Sequence, residues 1–462
     1  AAEYMIGGLV AYVGVNNATC VKSTVADSSN QAELMIAPVG NAAKGEIGGI
    51  TAETYYNKKG DLRADYLRVT NSGNITIKGT FTGGGHPWLG GFLGINNHDN
   101  MLFKDCVNSG NITNEATASP NIGGFVGRDG NNKEFVIDGC TNSGNINYNV
   151  AATSGVYAGG FIGHRNDVGA TIIKNSVNEG AITVANQTLA KSEYSCNVAG
   201  FVASNTTEKL TVTNCTNGKL NDTTGKGNLT LGNCDTGVCL GGIVGRCDKA
   251  PTISGCKNYA TIKQDGFGGY DKTKRAHISG ILGNCTVGGI QITECENHGT
   301  VEYVSPNPRK DARTDVAGIV ATTASSGNLI KDCKNYGTIN YKAKKTNAGE
   351  VTVAGIVGCP QSTTIVENCE NHGLIHGSGA TTAGYDIGGI AGGPSGAAVE
   401  FLNCKNYGEV KQSGATAGTS YIGGIIGYGY SFHVLQGCEN HAPVTILNTN
   451  GAKSIHVGGL VG

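Results

Sequence analysis

Cysteine is the residue with the most chemistry to offer in this sequence. The chain holds sixteen thiols, each a possible nucleophile, metal ligand or half of a disulfide. Nine of them, Cys106, Cys140, Cys215, Cys256, Cys295, Cys333, Cys369, Cys404 and Cys438, fall into one series, with Ser176 filling the vacant place and steps of 34 to 41 residues. Val69 stands at an earlier place, and Cys20 reads as a degraded first copy. A zinc site calls for Cys-x-x-Cys or a repeated Cys/His pairing, and neither recurs. Evenly spaced thiols suit a structural role instead, as small hydrophobes filling a narrow core corner. Neighbours on stacked turns also approach disulfide reach, but the torsion of that bond is demanding. We expect unpaired core thiols.

The other cysteines, at 196, 234, 239, 247, 285 and 359, lie off the series. Cys234 and Cys239 are five apart at the end of the longest insertion, 218–239, and are candidates for a local disulfide, which an oxidising compartment would favour. A second series is amide: Asn108, Asn142, Asn178, Asn217, Asn258, Asn297, Asn335, Asn371, Asn406 and Asn440 each stand two places after the cysteine position. Stacked amides donate and accept along a common axis. In the C-terminal half the flanking residues alternate as Lys257/Tyr259, Glu296/His298, Lys334/Tyr336, Glu370/His372, Lys405/Tyr407 and Glu439/His441. Such a column sets unlike charges side by side, at about 0.2–1 kcal/mol per pair. Its histidines recur on every second turn, roughly 9.6 Å apart, too far to share a metal. Lys272, Lys274, Arg275, Arg309, Lys310, Arg313, Lys342, Lys344 and Lys345 follow the third segment of successive repeats and would form a basic edge, partly offset by Asp271, Asp311, Asp315 and Glu350.

All of these positions are set by one repeat. A glycine block recurs as Ile47-Gly48-Gly49-Ile50, Leu89-Gly90-Gly91-Phe92, Ile122-Gly123-Gly124-Phe125, Ile387-Gly388-Gly389-Ile390 and Ile422-Gly423-Gly424-Ile425. Softer copies read Val198-Ala199-Gly200-Phe201, Val316-Ala317-Gly318-Ile319 and Val353-Ala354-Gly355-Ile356. The cysteine block follows, of the form I-x-x-C-x-N-x-G-x-I, and the mean period is about 37 residues. Each repeat holds three short segments with apolar residues at alternate positions, the pattern of strands with one buried face. Asn-x-Gly supplies turn chemistry between the last two. The fold expected is all-β: one continuous parallel β-solenoid over 1–462, with degenerate first coils in 1–66. About twelve coils of three strands at roughly 4.8 Å would span about 58 Å. Glycine at 74 of 462 residues argues against helices, where each one costs nearly 1 kcal/mol.

The blocks Gly123-Gly124-Phe125-Val126-Gly127 and Ile173, Ser176, Gly180, Ile182 resemble the GLUG repeat of bacterial surface and secreted proteins. The resemblance runs from Ile6 to Gly462 and departs from the family in its longer loops and in cysteine where serine is usual. It implies a stalk or passenger region of an adhesin or surface peptidase, extracellular or at the cell surface, with no catalytic residue, cofactor or metal in the repeat.

Composition narrows the function further. A net charge of -1 gives no nucleic-acid footprint, no apolar run reaches the roughly 18 residues of a membrane helix, and no signal peptide is read. Carboxylates are scattered, or repeat as Glu296, Glu370 and Glu439, whereas catalysis needs one special coil with converging groups; an enzyme is not expected. Nine Asn-x-Ser/Thr sequons match chance. Two readings remain: a non-catalytic adhesin or stalk that presents loops from a rigid rod to a glycan or a host or cell-surface protein, or a filament or sheath subunit stacking on itself through uncapped ends. The chain also reads as a section of a longer protein, capped by other domains.

Overall fold

The computed structural model describes residues 2–462 apart from 16–21, 38–41, 57–62, 82–86, 131–132, 153, 167, 188–195, 207–208, 235, 266–274, 306–312, 348, 397, 431 and 448–450. Every regular element among the described residues is a strand. One coil runs through Asn121–Gly123, Val126–Asp129, Glu134–Asp138, Thr141–Asn142 and Ile146–Tyr148. Equivalent strands of successive coils pair in parallel, giving sheets one to five, of 13, 10, 12, 12 and 12 strands. The chain is therefore a parallel β-solenoid of about twelve coils. The three expected segments are present, but a full coil has five strands, because the glycine pair splits the first segment and the two residues after the cysteine position form a strand of their own; the last coils lack the second strand.

That second corner has a conformational signature. The residue before the cysteine position is left-handed in every coil: Asp27, Arg68, Asp105, Gly139, Asn175, Asn214, Gly255, Glu294, Asp332, Asn368, Asn403 and Gly437, with φ between 48° and 64°. Asn, Asp and Gly dominate the position because they tolerate this region best. The corner also locates the first coil: Asp27 precedes Ser28, and Asn30 pairs with Asn71. Ser28 thus takes the place assigned to Cys20, which lies outside the described residues.

Alternation builds two cores rather than one. The first lies between sheets two and three and closes on the cysteine corner, with Phe125, Val126, Ile137 and Cys140 in one coil. Its phenylalanines stack face to face from Phe92 through Phe125 and Phe161 to Phe201, with ring centres 4.6–4.8 Å apart. The second lies between sheets one and five, with Ile122, Ile146 and Tyr148 in the same coil. The insertion in 218–239 proves shorter than its sequence bounds: Leu229–Leu231 is an ordinary strand of sheet five, so the extra residues fall between Asn217 and Leu229.

Candidate functional site

The amide series is a hydrogen-bonded column between the two cores. It starts earlier than expected, at Asn30 and Asn71, and the Nδ2 of each asparagine donates to the Oδ1 of the next up to Asn440, in eleven bonds of 2.7–3.0 Å. The same nitrogen donates to a carbonyl further along its own coil, as Asn335 does to Gly337 at 2.8 Å. The second glycine of each block faces this column. A Cβ on Gly318 would lie 2.1 Å from the Gly355 carbonyl oxygen and 2.5 Å from Asn335 Oδ1. The softer blocks, such as Ala317-Gly318, accordingly give up the first glycine and keep the second.

The cysteine series is a neighbouring column of thiols, buried from Cys106 to Cys404 and half-buried at Cys438. Cys333 Sγ donates to the carbonyls of Lys331 at 3.2 Å and, one coil back, Ile292 at 3.6 Å, and its neighbours repeat the pattern. Burial pushes the Cys215, Cys295 and Cys369 thiols up, but does not override the hydrogen bonds from neighbouring thiols that lower Cys106, Cys256, Cys333 and Cys404. Off the series it raises Cys285 to about 11 and Cys359 to about 12. The raised thiols, held protonated, are poor nucleophiles and poor metal ligands.

The local pairing of Cys234 with Cys239 is not what the fold provides. Cys234 sits 2.7 Å from Cys196, sulfur to sulfur, both buried, while Cys239 belongs to a strand of sheet one between Asn197 and His277. The five-residue spacing spans a corner that sends the two side chains different ways. The basic edge also loses a member. Arg313 turns inward onto buried Asp315, with Nε 2.8 Å from Oδ1, because the end of sheet one carries it off the loop rim. Arg275 and Lys342 are exposed, and Lys344 and Lys345 extend the Ile339–Asn347 strand. Lys272, Lys274, Arg309 and Lys310 lie outside the described residues.

The alternating residues meet coil by coil on sheet four. Lys257–Glu296 and Lys334–Glu370 pair at 3.0 Å and Lys405–Glu439 at 3.5 Å. Beside them the rings of Tyr259, His298, Tyr336, His372, Tyr407 and His441 stack with centres 4.6–4.9 Å apart. Each imidazole contacts the glutamate of its own coil at 2.7–2.9 Å. The rings cover one another's faces and leave edges to solvent, so the column is a lateral brace rather than a stacking platform.

One place breaks the repetition. Sheets one and two turn their non-core sides toward each other across a polar seam: Arg128 lies 5.0 Å over the Trp88 ring, and Tyr157 stacks on His164. Along sheet one the seam positions run His277, Asp315, Thr352, Asp386 and Tyr421. Asp315 is fully buried among Arg313, Thr352, whose hydroxyl donates to it at 2.6 Å, and His277 Nδ1 at 2.9 Å. Burial would raise this carboxyl, but Arg313, His277 and Thr352 override it and hold it well below the usual range.

Sheet two ends at Val357–Cys359, and the later coils continue it through isolated bridges, Val357 to Ala391 and Ala391 to Ile426, with Gly392 and Gly393 donating to its last carbonyls. There the seam opens into a cavity of about 720 Å³ lined by Arg313, Glu350, Asp386, Tyr428, Tyr430 and His433, with Phe432 and the 393–396 turn. Burial pushes the Asp386 carboxyl up to about 7, against the pull of Arg313 and helped by Glu350 and Asp315. Tyr428 packs 4.4 Å from Tyr421 and lies parallel to Tyr430, which is 80% exposed. Scattered along the sequence, these residues carry no motif. The signal that marks them is an interrupted repeat, Gly392-Gly393-Pro394-Ser395-Gly396 and Tyr428-Gly429-Tyr430, where other coils continue as a strand. Comparison with protein-family models, curated proteins and solved structures finds no match to the chain.

Proposed function

We propose that the chain is a non-catalytic rod of the GLUG-repeat type, an adhesin or stalk segment that acts at the cell surface or outside the cell and holds its loops apart from the body that carries them. The observation behind this reading is the column of asparagines, which joins every coil to the next without a gap. A structure so uniform along its axis resists bending, and stacked coils gain their stability from neighbours. The loops would meet a glycan or a surface protein of another cell. Immunogold labelling of intact source cells, with negative-stain imaging of the purified native protein, tests it. Surface label and isolated rods are expected. Label reached only after lysis would overturn the surface reading, and long fibres with an axial repeat near one chain length would replace the stalk by an end-to-end filament.

A further inference from the structure

The interrupted coils give this rod something its repeats do not. We propose that the cavity at the end of the seam binds an organic ammonium group, held between the Glu350 and Asp386 carboxylates and against the Tyr428 and Tyr430 rings. Charge decides the sign of the ligand. Arg313 faces the cavity, but Asp315 matches it at 2.8 Å, and His433 stands 3.7 Å from Glu400. Among the described residues that line the cavity, Glu350 and Asp386 therefore outnumber the cations left over, even with the His277 imidazole counted at Asp315. An anion would enter against that excess, while a cation gains from it in a half-enclosed site where water screens poorly. Shape agrees with charge. Tyrosine faces attract cations through their quadrupole, most strongly when the cation is weakly hydrated, as an alkylammonium is. Among the described residues no side chain donates to Asp386, so its carboxylate gives up no such bond on binding. Its proton leaves near neutrality, and a cation beside it favours that loss, so affinity rises with pH.

The inference goes beyond the rod reading and is tested separately from it. Calorimetric titration of the full chain with choline and with acetyl-lysine amide separates the two common sources of the group, a quaternary headgroup and a lysine side chain. Dimethylbutanol, the uncharged carbon isostere of choline, is the control. At least one cation should bind, and the alcohol should bind roughly tenfold more weakly or worse. Tyr430→Ala and Glu350→Gln should each weaken the cation about tenfold, with thermal melts showing that both variants stay folded. Affinity should climb several-fold from about pH 6 to about pH 8, and Asp386→Asn should flatten that slope. If neither cation outbinds the alcohol, or if both variants bind as the parent does, the proposal fails while the rod stands.

Discussion

Glu294 holds a φ of 55° at a corner where most coils place Asn, Asp or Gly. Among the described residues its side chain makes no ion pair to offset a conformation that L-residues other than Asn and Asp adopt at about 1–2 kcal/mol. Glu294→Gly removes the Cβ responsible, and part of the gain returns as unfolded-state entropy. The variant should gain about 0.5–1 kcal/mol in urea unfolding, and a loss of stability would show that the corner is not strained. Asp386 makes a second residue-scale case, with a sign that runs against most carboxylates. Its folded pKa is raised, to about 7 from 3.8, so the folded state binds the proton more tightly than the unfolded chain. The linked stability is fully present below the unfolded value and is lost as pH rises through about 7. Asp386→Asn removes that loss. Melting curves should show the variant gaining on the parent between about pH 5 and pH 8, and parallel curves at the two pH values would refute the assignment.

At the scale of the strand, the sheet-four column ties charge order to coil order. Glu370 accepts from His372 and pairs with Lys334 on one side, and Lys405 lies in register on the other. Glu370→Lys would stack three like charges at one strand spacing and should destabilise the fold by about 1 kcal/mol at low ionic strength, less in salt. An effect that salt leaves untouched would point to lost packing instead. The thiol pair makes a second prediction, on one whole coil. Cys196 opens a coil and Cys234 closes the same one, with their sulfurs 2.7 Å apart. Refolded with glutathione disulfide, the two should exchange into one intramolecular bond and release two glutathione thiols. Mass spectrometry of the peptides should find that link, and a Cys234–Cys239 peptide would reverse the assignment.

These strands also show what sequence could and could not reveal. Period, parallel stacking and both ladders follow from local pattern, because each coil repeats one set of contacts. The five-strand cross-section escaped the pattern, since a left-handed corner looks in sequence like any Asn or Gly. The Cys196 contact and the cavity escaped it for another reason: they arise where single coils depart from the repeat, so no recurring pattern marks their residues.

At the scale of the whole molecule, stability is a chain of nearest-neighbour terms, so where a lesion falls matters as much as how large it is. The glycines facing the asparagine column allow one chemical change at two places. A Cβ at Gly49 would meet the Gly91 carbonyl at 2.2 Å, and at Gly318 the Gly355 carbonyl at 2.1 Å. Locally the two overpackings are alike, each about 2–3 kcal/mol. Globally they differ. The first coils are already partly exposed, and Ala in place of Gly49 loosens only a few neighbours before the intact stack takes over. Ala in place of Gly318 sits between long stretches of sound coils, which can hold their own cores while the junction opens. Hydrogen exchange read by peptide mass should therefore show Gly49→Ala losing protection at the N-terminal coils alone, with one remaining transition. Gly318→Ala should lose it around 280–360 while both flanks stay protected, and its urea unfolding should broaden or split. Uniform loss of protection in both variants would mean that the rod unfolds as one cooperative body and that the nearest-neighbour picture does not hold for it.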